Sequence, residues 1–198
     1  MTLTTIHWQD LTWLNPPERA EVVGGQLEVV TRPKTDFWRT THYGFVHDDG
    51  HFLGTSLGGD GAIEVTFASH FSEPFDQAGL MLRAAPDLWV KAGVELSDGE
   101  LLASAVVTRG LSDWSVAPLP ASAAGAPFTI RASRAGDSLT LRYRVGEEGS
   151  LRLLRVAYLP PEAELLAGLM CCSPSRGGLL VRFEPVRLGP PDARLHDE

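Results

Sequence analysis

A chain of 198 residues makes one large domain or two small ones, and at this size roughly seven-tenths of the unfolded surface is buried without disulfide or metal staples. The formal net charge is −8 and basic residues stand singly or in pairs. Nucleic acid and anionic membrane surfaces, which require a concentrated basic patch, are therefore not the expected partners.

No apolar run approaches the roughly 18 residues of a spanning helix. MTLTTIHWQD lacks the basic and apolar segments of a secretory signal. Cys171 and Cys172 are adjacent and make a poor disulfide framework. These features predict a cytoplasmic protein with two small buried thiols.

His7–Leu14 alternates as a strand and stops at Asn15-Pro16-Pro17. Ala20–Val23 and Gln26–Thr31 read as a hairpin about Gly24-Gly25. Residues 32–60 form a long irregular segment rich in aromatic and ionisable side chains, the composition of a binding loop. Within it, Tyr43–His47 and His51–Leu53 read as a second hairpin about Asp48-Asp49-Gly50. Ala62–His70 alternates cleanly.

Gln77–Arg83, Leu88–Glu95 and Leu101–Thr108 then follow back to back, and a fourth run begins at Asp113–Trp114. Pro118–Pro127 is a connecting loop, and Phe128–Ser133, Ser138–Val145 and Ser150–Tyr158 are three further strands. Glu162–Ala167 is the one helical candidate, of one turn or two. Leu169–Cys172, Gly178–Phe183 and Val186–Leu188 complete the set, and residues 190–198 are expected to fray. About a dozen strands separated by turn signals predict an all-β antiparallel sandwich, with residues 1–198 as a single domain. No repeat of fixed period is present, which disfavours a propeller.

The three central runs carry the functional argument. Side chains alternate between the faces of a strand, so each run divides in two. One face collects Ala78, Leu80, Leu82, Val90, Ala92, Val94, Ala103, Ala105 and Val107, an aliphatic set suited to a sheet-on-sheet core. The other collects Gln77, Met81, Arg83, Trp89, Lys91, Glu95, Ser104 and Thr108 around Gly79 and Gly93. Glycine inside a strand marks the close approach of a backbone or a ligand.

A tryptophan beside charged groups over a glycine floor suits a sugar, whose C–H face stacks on the indole while its hydroxyls meet polar groups. An exposed sheet face with ordinary cross-strand ion pairs is the competing reading. Glu95 between Arg83 and Lys91 is expected to favour its ionised form. The loop is expected to add Asp36 and His51 to the site, with Trp38 as packing. His42, His47, Asp48 and His51 lack a helical zinc spacing, and no metal or other cofactor is expected. There is no Gly-x-Ser-x-Gly elbow and no evident His partner for the cysteines.

The strings Asn15-Pro16-Pro17, TDFWRTTHYGF (35–45), DDGHF (48–52), FDQAGLMLR (75–83), LWVKAGVEL (88–96), SAVVT (104–108), SDWS (112–115) and CSPSRGGLLVRF (172–183) occur in this order. Together they resemble the largely uncharacterised concanavalin A-like family related to a yeast "regulation of enolase" protein. The resemblance covers nearly the whole chain and implies a jelly-roll sandwich of the lectin/glucanase architecture. It supplies no catalytic residues.

The expected function is therefore binding of a carbohydrate or other small polar ligand on a concave sheet face. Arg83, Lys91 and Glu95 are its polar contacts, Trp89 its stacking surface, and Gln77, His51, Asp36 and Thr108 complete it. The alternatives are a glycoside hydrolase or lyase using Glu95 and a loop carboxylate, and a regulatory module that binds a protein partner.

Overall fold

The computed structural model describes residues 3–196. Met1 and Thr2 of the N-terminal stretch, and Asp197 and Glu198 of the expected frayed tail, lie outside the described residues.

The first half of the chain contributes strands β1 (Thr4–Thr5), β2 (Thr12–Leu14), β3 (Arg19–Val23), β4 (Gln26–Val30), β5 (Phe37–Arg39), β6 (Val46–Asp48), β7 (His51–Gly58), β8 (Gly61–Ser69) and β9 (Gln77–Ala85). The second half contributes β10 (Leu88–Ser97), β11 (Glu100–Arg109), β12 (Leu111–Pro118), β13 (Phe128–Ala135), β14 (Ser138–Val145), β15 (Arg152–Tyr158), β16 (Leu165–Cys172), β17 (Leu180–Phe183) and β18 (Arg187–Gly189).

Two large antiparallel sheets form the sandwich. One runs β12-β11-β10-β9-β16-β7-β2; the other runs β15-β14-β13-β8-β17-β4-β3, with β18 paired to β8 and β1 paired to β18. Their facing sides share one aliphatic core, in which Leu80, Leu82 and Val90 meet Ile63, Val65, Ile130 and Phe183. The protein is thus an all-β concanavalin A-like jelly roll. No helix among the described residues is long and apolar enough to cross a membrane.

Four local expectations are corrected. His7–Leu14 is not a continuous strand: Trp8–Asp10 forms a single 3-10 turn before β2. Glu162–Ala167 is not helical, because Leu165 and Ala167 are buried on the core side of β16 while Leu166 points out. The vacancy between β7 and β9 is filled by pairing on both sides, which overrides local helix propensity.

Asp48-Asp49-Gly50 is not a hairpin turn. β6 pairs with β5, whereas β7 joins the seven-stranded sheet beside β2 and β16. The Asp36 carbonyl accepts the Asp49 and Gly50 amide hydrogens, and a side chain at Gly50 would collide with Phe37 and Cys172. The tail, finally, is tied down at Asp192, whose carboxylate accepts from Arg131 and Arg142 and whose backbone N–H donates to Ser133 Oγ.

Candidate functional site

The polar face of β9, β10 and β11 lies on the outer side of the seven-stranded sheet, yet it is not open to solvent. The β5–β6 hairpin folds over it as a flap, and Phe37 and Trp38 join Phe52, Met81, Trp89, Val106, Met170 and Cys172 in a second, smaller apolar cluster. Beneath the flap, Gly79 and Gly93 are directly opposed in the β9–β10 register, and a Cβ on either would run into the neighbouring strand's backbone carbonyl. The glycines thus serve strand-to-strand approach.

Four polar anchors hold the flap. Arg83 donates through both terminal nitrogens to the two carboxylate oxygens of Asp48, at 2.7 and 2.8 Å. Lys91 Nζ donates to Asp36 Oδ1 at 2.9 Å. The Arg39 backbone N–H donates to Ser112 Oγ at 2.9 Å, and its Nε donates to the Gly110 carbonyl at 3.0 Å. A charge withdrawn from water must be paired, and here each sheet cation meets a carboxylate of the flap.

Beneath the flap two small networks stand side by side. In the first, Lys91 Nζ also donates to Gln77 Oε1 at 2.7 Å, while Gln77 Nε2 donates to Asp36 Oδ1 at 3.3 Å and to the Phe75 carbonyl at 3.2 Å. In the second, Ser104 Oγ donates to Glu95 Oε2 at 2.8 Å and accepts from Trp114 Nε1 at 3.0 Å. Burial alone pushes the Lys91 ammonium down, but Asp36, with help from Cys172 and Glu95, outweighs it and leaves the group above its ordinary value.

Glu95 goes the other way from its sequence-based expectation. Burial dominates and raises its carboxyl, with Lys91 and Ser104 opposing. The expectation had placed Glu95 between two cations, but Arg83 is committed to Asp48.

Both networks open onto one cavity of about 160 Å³. Its polar lining is Asp36, Gln77, Lys91 and Glu95, and its apolar walls are Trp38, Tyr43, Phe45, Phe75, Val106, Trp114 and Pro174. Four of the eight residues picked out from sequence therefore meet in it. The others lie elsewhere.

Arg83 fastens the flap, with its guanidinium 5.9 Å from the Phe37 ring centroid. Trp89 is fully buried under the flap, 6.0 Å from Phe37 centroid to centroid, and its indole N–H donates to the Pro86 carbonyl. Thr108 is buried against Ser112. His51 is a backbone clasp: its Nδ1 contacts the Asn15 carbonyl at 2.7 Å and its Nε2 accepts the Arg32 N–H at 3.0 Å. Burial lowers its basicity, and the neutral ring satisfies both contacts.

Trp89, expected as a stacking surface, is fully buried and offers no face to the cavity, whose aromatic walls are other residues. Of these, Trp38 is the one expected from sequence to be packing. Tyr43 and Phe45 are signalled in the sequence by the density of rings in residues 37–45, whereas Phe75 stands alone before β9 with no local signal. No group of three or more His, Cys, Asp or Glu among the described residues is arranged to hold a metal ion.

The comparisons with known proteins agree with this architecture. The chain is 39% identical over 188 residues to "Regulation of enolase protein 1" of Saccharomyces cerevisiae, covering 94% of this chain and 93% of that protein. A crystal structure of a functionally unknown protein from Saccharomyces cerevisiae superposes with a TM-score of 0.88 at 37% identity, covering 95% of this chain and 100% of that one. A xylan beta-1,4-xylosidase from Bacillus halodurans C-125 superposes at 0.75 with 13% identity, over 94% of this chain but 38% of the enzyme, a likeness of fold. Residues 13–191 match the family described as "Protein of unknown function (DUF1349)", and with a near full-length relative at 39% identity the chain belongs to that family.

Proposed function

We propose that the cavity beneath the flap binds a sugar ring or sugar-like polyol in the cytoplasm. The observation that supports this most is the lining itself: a buried ammonium, two carboxylates and an amide share a small space with aromatic walls. Such a site offers donors and acceptors to hydroxyls and ring faces to C–H groups. About 160 Å³ is below the roughly 300 Å³ typical of drug-sized pockets, so the space suits one ring. The xylosidase-like fold is compatible with a saccharide ligand but is only an analogy for function. The two buried, unbridged cysteines accord with a reducing compartment.

A second reading is favoured by the contrast between Glu95, held toward its protonated form by burial, and Asp36, paired with Lys91. Two carboxyls in such different surroundings are the raw material of acid and base in glycoside hydrolysis. The name of the yeast relative points instead toward regulation through a protein partner.

A thermal-shift screen of the purified protein against mono- and oligosaccharides discriminates among these readings. A ligand at a hundredfold excess over its Kd is expected to raise the Tm by about 5–10 °C. Reducing-sugar release lost in Glu95→Gln would establish the enzyme. Silence across the panel together with a stable protein complex in pull-downs would overturn both saccharide readings.

A further inference from the structure

A second cavity of about 580 Å³ adjoins the first, lined by Trp38, Thr41, His42, Tyr43, Ser112, Asp113 and Trp114. Trp38, Tyr43 and Trp114 belong to both cavities, so the two spaces share an aromatic wall. Phe75 and Pro174 line only the first. The first is small and carries the buried charges; the second is larger and offers Thr41 and the exposed carboxylate of Asp113, which Arg155 holds at 3.2 Å.

Tyr43 is the centre of the wall. Its ring meets Trp38 edge-on at 5.5 Å and stacks on Phe45 at 5.4 Å between centroids, while remaining nearly half exposed. It sits on a turn closed by the Thr40 N–H to the Phe45 carbonyl and the Gly44 N–H to the Thr40 carbonyl. Thr40 and His42 adopt φ of 63° and 64°, the left-handed region that a β-branched residue seldom enters. Backbone strain of this kind persists where surrounding structure enforces it and is concentrated at ligand sites. The turn therefore holds Tyr43 in place before any ligand arrives, which lowers the ordering cost of binding.

Resting on the saccharide reading of the first cavity, we infer that the ligand is the end of an oligosaccharide chain. Its terminal ring occupies the small charged cavity, and the next ring lies in the larger one against the wall of Trp38, Tyr43 and Trp114. A one-ring first cavity selects chain ends over internal segments, and the shared wall centred on Tyr43, with Asp113 beyond it, meets the second ring.

Calorimetric titration of the full chain with matched series of gluco-, xylo- and manno-oligosaccharides of one to four residues tests this. In the series that binds, affinity is expected to rise at least tenfold from one residue to two and to change less than threefold beyond. Asp113→Ala, at a residue that lines the second cavity alone, is expected to cut that gain at least threefold while leaving monosaccharide affinity within about threefold, whereas Tyr43→Ala, which alters both cavities, is expected to weaken every member of the series. Monosaccharide binding without a gain at two residues, or a gain unaffected by Asp113→Ala, overturns the chain-end assignment and leaves the first cavity's reading intact. No binding by any member overturns both.

Discussion

At the scale of single residues the site is governed by what burial does to charge. Lys91 and Asp36 are linked through one 2.9 Å contact, and both are largely withdrawn from water. Lys91→Met strands the Asp36 carboxylate and is expected to cost about 3–5 kcal/mol in urea unfolding. Adding Asp36→Asn is expected to recover more than half of that loss, because the amide needs no counter-charge; a double variant no more stable than Lys91→Met would show that the pair is not the relevant unit.

His51 has a lowered pKa, chiefly from burial. Its unfolded form takes up a proton near pH 6.5 while the folded form resists. The stability it contributes is therefore present above about pH 6.5 and is lost as pH falls through its lower folded value. Urea midpoints measured between pH 7.5 and 5 are expected to fall more steeply in the wild type than in His51→Gln. Parallel slopes would contradict the neutral clasp.

The elements divide the work between a stiff sheet and a flap fastened to it. The ten-residue register of β10 with β11 and the opposed Gly79–Gly93 pair leave little tolerance inside the sheet. Gly93→Ala is expected to cost about 2–3 kcal/mol, since the new methyl displaces backbone and not a flexible side-chain tip. The flap depends on fewer contacts. Arg83→Gln removes its two-pronged hold on Asp48, and hydrogen exchange is expected to quicken in residues 37–48 before it does in β9–β11; uniform acceleration would argue that the hairpin is part of the core folding unit.

The division of β9–β11 into an aliphatic and a polar face was legible from period two alone, because alternation needs no knowledge of partners. The flap pairing was not. Asp36 and Asp48 reach their cations across sequence separations of 55 and 35 residues, and a good local turn at Asp48-Asp49-Gly50 gave way to burial of Phe37 and Trp38. Lys91, Glu95 and Gln77 could be nominated by residue type and face and Asp36 by the composition of its loop, whereas Arg83 and Trp89, nominated by residue type and face as well, are buried support beneath the flap. Nothing local distinguishes Lys91, which both lines the cavity and holds the flap, from Arg83, which only holds it.

In the whole molecule, the two-sheet sandwich turns one side of the seven-stranded sheet into core, and the flap covers the other, leaving beneath it a small, charged, aromatic-walled cavity. The five tryptophans report on this directly. Trp38 and Trp114 line the cavity, Trp89 lies buried beneath the flap, and the Trp8 indole donates to the Gly25 carbonyl away from it, with Trp13 packed against the main core. The decisive measurement is a titration of ¹⁵N-labelled protein with the mono- and oligosaccharide panel, following the indole N–H resonances. Saturable shifts of Trp38 and Trp114, with Trp8 and Trp13 unmoved, are the predicted result. Shifts confined to Trp8 or Trp13, or no shift with any saccharide, would contradict a sugar site beneath the flap.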